Sequence, residues 1–120
     1  MSTANGMGRR TVSTKIADYT VVADVDNGKI FATTGATGAV TFALPAATVG
    51  QWYEFSVQAA QELRIDPNGT ETIALPSTGA QSAAGKYISA DADGEHVTVV
   101  CVVAGSWQVA SYIGTWTAES

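Results

Sequence analysis

The chain has little of what most protein chemistry needs. One histidine, His96, and one cysteine, Cys101, stand among 120 residues. A single cysteine excludes an intrachain disulfide and a thiolate-rich zinc site, and a single histidine excludes any metal site or mechanism built on two imidazoles. Cys101 sits inside VTVVCVV, where its expected role is that of a small buried apolar side chain. Charged residues make up only 14% of the sequence, whereas an ordinary soluble domain carries about 25%. Part of this surface is therefore expected to lie against another chain. No apolar run reaches the roughly 18 residues of a membrane span, and Met1-Ser2-Thr3 lacks the basic start and apolar stretch of a signal peptide, so synthesis in the cytoplasm is expected. No ten-residue segment carries an apolar stripe at helical spacing; Ala59 to Leu63 offers one turn at most.

What is present points to strands. Apolar residues, mainly Val, Ala, Ile, Phe, Tyr and Trp, make up 46% of the chain, enough for one core, and 12 glycines punctuate them at short intervals. The stretch from Gly38 to Ile73 organises the rest. Val40, Phe42 and Leu44 alternate with Thr41 and Ala43, the two-residue period of a strand with one face in a core, and Pro45 ends it. Beyond a turn closing at Gly50, Tyr53, Phe55 and Val57 alternate with Trp52, Glu54 and Ser56, so the two strands are expected to form a hairpin. Leu63 to Asp66 forms a third strand, stopped by Asp66-Pro67-Asn68-Gly69, in which Pro presets φ and Asn-Gly accepts a positive φ.

Outside this stretch, Ile16 to Val22 reads as a strand turned by Asp26-Asn27-Gly28 into Lys29 to Thr33. Ile73 to Leu75 and Tyr87 to Ala90 are short strands flanking the small-residue loop Ser77 to Lys86. His96 to Ala104 is apolar on both faces: Val97, Val99, Cys101 and Val103 on one, Val100, Val102 and Ala104 on the other. A strand of this kind must be covered on both sides, because each exposed Val forgoes roughly 1.5–3 kcal/mol of burial. Its second face is expected either at the centre of a sandwich or against a neighbouring subunit. Ala104-Gly105-Ser106 then turns it into Trp107 to Ile113, with Trp107, Val109 and Ile113 on one face, and Gly114-Thr115-Trp116 closes the ordered chain. About eight short strands at this spacing predict an all-β domain, a compact sandwich or barrel, over residues 16–120.

Residues 1–15 stand apart. Arg9, Arg10 and Lys15 give this segment a charge of +3 with no acid before Asp18, which leaves −8 on the remainder of a chain whose net charge is −5. It reads as an extended or flexible segment, either a disordered terminus or an arm that orders on a partner and pairs Arg9 and Arg10 with carboxylates there. Nucleic acid is not the expected partner, since three dispersed cations neutralise few phosphates and the acidic body repels a duplex.

Reactive constellations are sparse. Asp91-Ala92-Asp93-Gly94-Glu95 invites a calcium reading, but the twelve-residue loop with a distal bidentate Glu is missing and an acidic hairpin turn explains the same residues. Glu54, Glu62, Asp66 and Glu71 could supply two carboxylates for glycoside hydrolysis, yet they fall where strands and turns face solvent. His96 has no nucleophile elbow to serve and reads as a strand-edge residue. No Gly-rich loop opens a helix to cradle phosphate. Trp52, Trp107 and Trp116 could stack on sugar rings, although core or interface burial is the commoner fate of tryptophan in strands. No catalytic residue, metal ligand or cofactor site is expected.

The succession of GKIF, TTGATGAVTFALPAA, GQWYEF, LRIDPNGTETI and VTVVCVVAGSW resembles a β-rich module of tailed-bacteriophage structural proteins. The matching positions are Gly38, Val40, Phe42, Leu44, Pro45, Gly50, Tyr53, Phe55, Ile65, Pro67, Gly69, Ile73, Gly105, Trp107 and Trp116, and the likeness as a whole covers the chain from about Tyr19 to Trp116. The resemblance implies a virion component that assembles as a homotrimer: a head decoration (cement) protein on the capsid surface, bound to the major capsid protein, or else a tail-fibre module that holds host glycans. The match spans nearly the whole chain without a fibre stem, which favours the decoration protein. On that reading Arg9, Arg10 and Lys15 contact the capsid, and Val97, Val99, Val100, Cys101, Val102 and Trp107 form the subunit interface.

Overall fold

The computed structural model describes residues 9–120. Eleven strands lie among them: β1 (Val12–Thr14), β2 (Tyr19–Thr20), β3 (Ile30–Ala32), β4 (Val40–Ala43), β5 (Trp52–Ser56), β6 (Leu63–Asp66), β7 (Thr72–Ile73), β8 (Ile88–Ala90), β9 (His96–Val103), β10 (Ser106–Ile113) and β11 (Thr117–Ala118). One short helix, α1 (Ala23–Asp26), follows β2. The strands form two sheets. Sheet A has the order β1-β3-β5-β9-β10-β7, and sheet B the order β11-β8-β6-β4-β2.

The first six strands alternate between the sheets, and each lies parallel beside the strand two before it: β1, β3 and β5 in sheet A, β2, β4 and β6 in sheet B. The chain is thus wound as a coil. This corrects the expected hairpin of Val40–Leu44 with Trp52–Val57, because β4 belongs to sheet B and β5 to sheet A. Their alternation reports that both have an inward face, and these faces meet across the core, with the Phe42 and Phe55 rings 5.1 Å apart. The turn at Asp26-Asn27-Gly28 likewise carries the chain from sheet B to sheet A, and so does the acidic turn between β8 and β9. Only β9 and β10 make the local hairpin expected of them, through Gly105 at φ +89°.

The core fills the space between the sheets. Phe31, Phe42 and Phe55 form an aromatic cluster with centroids 5.1–5.6 Å apart, and Tyr19 packs on Phe31 at 5.5 Å. Leu63, Ile65, Ile73 and Ile88 complete it, and Tyr53 packs on Trp107 at 5.7 Å beside Val97, Val99 and Cys101. The Asp66-Pro67-Asn68-Gly69 stop behaves as expected: β6 ends at Asp66, and Gly69 takes φ +56°.

Two expectations fail at the chain's ends. Val12–Thr14 pairs with β3, ahead of Ile16, and Thr117–Ala118 pairs with β8, so order continues past Trp116 within the β body. Runs of two or three residues are too short to show a period.

Candidate interaction surface

The acidic residues are mostly internal ties. Asp18 accepts the Thr41 amide at 2.8 Å, Glu71 the Ala47 amide at 2.9 Å and Glu119 the Tyr87 amide at 3.1 Å. Glu95 holds two amides, those of Ala92 at 2.9 Å and Thr115 at 2.7 Å. Asp26 is fully buried and accepts from Tyr19 Oη, the Val22 amide and Lys29 Nζ, at 2.7–2.8 Å. Burial alone would raise its carboxyl, but these three donors outweigh it and hold the group below the usual 3.8. Each tie fixes a loop that would otherwise leave backbone donors unpaired.

The four carboxylates weighed for hydrolysis are dispersed in the same way. Glu54 pairs with Arg10, and Glu62 with Arg64 at 2.8 Å, which lowers the Glu62 carboxyl. Glu71 is tied to Ala47. Asp66 is pushed up by burial and then by the charge of Glu119. An open recess of about 220 Å³ is lined by Glu62, Ser89, Asp91, Glu95, Thr115 and Thr117, but two of its three acids are already engaged. Among the described residues no three His, Cys, Asp or Glu side chains gather at metal-ligating distance, and no helix is long and apolar enough to cross a membrane.

The basic residues also lie differently from a free arm. Arg10 bonds Glu54 and the Gly28 carbonyl, and its guanidinium lies 4.4 Å from the centre of the Trp52 ring. Lys15 places its ammonium 3.8 Å over Tyr19, while its amide donates to the Ala32 carbonyl at 2.9 Å. Arg9 is exposed. From Arg10 onward the segment is docked on the body, which corrects the boundary drawn at residue 15.

The valine-rich strand divides by face. Val97, Val99 and Trp107 are fully buried and Cys101 nearly so, all inside this chain's own core. They have no surface to offer a partner, which corrects their assignment to a subunit interface. Sheet B covers this face, and the second face, whose cover the sequence left open, stays on the outside of sheet A. Burial, then the charge of Glu71, pushes the Cys101 thiol up, away from reactivity. Val100 is half-buried on the outer face, flanked by Trp52 and Gln108. Val102 and Val103 are about 60% exposed at the hairpin end (59% and 61%), and Val49, at 63%, lies beside them because Gly50 donates to the Cys101 carbonyl. All three are exposed apolar residues at this end of sheet A.

Two of the three tryptophans take the burial expected of them, and one sequence reading fails for a physical reason. Trp107 and Trp116 are buried, and the Arg10 guanidinium lies over one face of the partly exposed Trp52 ring. Ile113 does not share the face of Trp107 and Val109, because the pairing of β10 with β9 slips between Val109 and Ser111 and reverses the alternation beyond it. Ile113 then stands 58% exposed. A bulge of this kind leaves no mark in a sequence of small and apolar residues. No protein-family model matches the chain, and no curated protein does.

Proposed function

We propose that the protein is a bacteriophage head decoration protein, a homotrimer without enzymatic activity that binds the assembled capsid through the major capsid protein and stabilises it. The observation that carries this reading is the order of strand and turn motifs from Tyr19 to Trp116, GAVTFALPAA through the IDPNG turn to the apolar strand before Gly105-Ser106-Trp107, which resembles phage structural modules. Low charge density and the exposed valines are consistent with a surface made for assembly. Capsid contact uses the apolar end of Val49, Val102 and Val103 together with Arg9. Such a protein acts by mass action: it binds the assembled shell and not dispersed subunits, so disruption must first remove it. Three attachment points on one trimer multiply modest contacts into durable binding.

Co-sedimentation with undecorated capsids tests this directly. The protein is expected to pellet with shells and not with free capsid subunits, and Val102→Lys combined with Val103→Lys is expected to abolish pelleting while leaving the mass in solution unchanged. No binding to shells by the unmodified protein would overturn the reading.

A further inference from the structure

Sheet A is open at two edges, and the open segments stand level. Pairing carries one row straight across it, from Thr14 through Ala32, Ser56 and His96 to Ile113, and a second from Val12 through Ile30, Glu54 and Thr98 to Ser111. Strand β7 reaches along β10 only to Trp107, and among the described residues no strand lies beyond β1 or on the side of Gln108–Ile113 away from β9, where the Trp116 indole donates to the Ile113 carbonyl at 3.2 Å. Natural sheets blunt such edges with charge, proline, bulges or short strands, and here β1 is short and β10 carries the slip beyond Val109. Neither Val12–Thr14 nor Gln108–Ile113 contains a charged residue or a proline. Both carry exposed apolar side chains instead, Val12 with nearby Ile16 on one edge and Tyr112 with Ile113 on the other.

The two edges also end in opposite charge. Lys15 directly follows Thr14, the end of one row. At the other end the acidic turn Asp91–Glu95 directly precedes His96, and Glu95 ties it to Thr115 just past Ile113. That tie occupies Glu95 and leaves Asp91 and Asp93 exposed.

We propose that a second copy of this chain fills each open edge: β1 of one subunit adds to β10 of the next, continuing sheet A across the boundary, with Lys15 against the partner subunit's Asp91 and Asp93. The inference rests on the homotrimer reading and names the surface that would make it. Strands β1 and β10 run in the same direction, since β1, β3 and β5 are parallel and two antiparallel steps through β9 restore that direction. A rotation about an axis along the strands therefore brings β1 beside β10 in parallel. Because the edges are level the contact gains no rise, and a head-to-tail contact of this kind closes into a three-membered ring when each subunit turns by a third of a revolution.

Disulfide trapping tests this on the full chain. Thr14→Cys and Ile113→Cys in one polypeptide are expected to join subunits into a covalent trimer on oxidation, since the paired Cα atoms would lie within the roughly 4.4–6.8 Å a disulfide spans. Lys15→Glu is expected to weaken association about tenfold, and Asp93→Lys in the same chain to restore it. A native trimer whose folded double-cysteine variant forms no cross-link would overturn the edge contact and leave the capsid reading standing. Covalent dimers from Ile113→Cys alone would overturn the head-to-tail order, pairing β10 with its own copy. A monomeric native protein would overturn the edge contact whether or not it binds capsids, and failure to bind them is the separate result that removes the capsid reading.

Discussion

The wound half of the molecule, β1 to β6, and the hairpin half, β9 and β10, reach stability by different routes. In the wound half no strand exceeds five residues, and each partner is a full turn of the coil away, as Val12 is from Ile30 and Ile30 from Glu54. Such strands have few ladder bonds of their own, so side chains secure the crossings: Asp18 to the Thr41 amide, Asn27 to the Trp52 amide, Thr33 to the Gln58 amide and Asp26 to three donors. Strands β9 and β10 run for eight residues each and pair locally through one turn. A long local hairpin needs fewer ties and can leave an edge unpaired. The difference teaches that polar residues in this chain are spent where strands are short, while the long hairpin stands with fewer of them and leaves one edge of β10 unpaired beyond Trp107.

The strongest way to break the comparison is to empty the wound half's core. Phe42→Ala removes the ring that touches both Phe31 and Phe55, and is expected to lower stability by about 3–5 kcal/mol in denaturant titration. Hydrogen exchange should then show amides of β2 to β6 opening before those of β9 and β10; equal loss of protection in both halves would erase the distinction.

Asp26→Ala comes next, at about 3 kcal/mol, because it strands Lys29 and Tyr19 against a buried site. The sign of its pH dependence follows from the depressed carboxyl. The native group titrates below the unfolded value of 3.8, so its contribution is complete above about pH 4 and is lost as pH falls through the native value. Thermal melts between neutral pH and pH 3 should show a steeper decline for the native chain than for Asp26→Ala. Parallel curves would mean that Asp26 does not secure the crossing.

The smallest effect sharpens the junction between the halves. Tyr53 and Trp107 pack where β5 meets the hairpin, and the Tyr53 hydroxyl has no partner among the described residues. Burial, then the charges of Asp26 and Asp24, pushes its ionisation up to about 12. Tyr53→Phe is expected to leave stability unchanged or raise it by about 1 kcal/mol, read in the same titration. A loss of more than that would show that the hydroxyl is held.

Much of the fold was legible. Val40, Phe42, Tyr53, Phe55, Val97 and Val99 alternate because one face of each strand is buried, and all six are core residues. Alternation is silent about which strand lies next to which, so the crossing from β4 to β5 read as a hairpin when it joins two sheets. The acids misled in a related way. Asp18, Glu71 and Glu95 look solvated by type, yet each reaches an amide distant in sequence that only the fold brings near, the β9–β10 hairpin in the case of Glu95. The candidate surface was half legible: the apolar outer positions were visible in VTVVCVV, but the slip beyond Val109 that exposes Ile113 was not.

Cys101 gives this architecture a built-in clock. Its sulfur lies 3.3 Å from the Val103 carbonyl and is sealed between the two sheets. A thiol reagent can meet it only in molecules that have opened, and the chain has no second cysteine to obscure the reading. The rate at which the sulfur is modified therefore counts openings of the core, and any partner that clamps the core shut will slow that count without touching the residue.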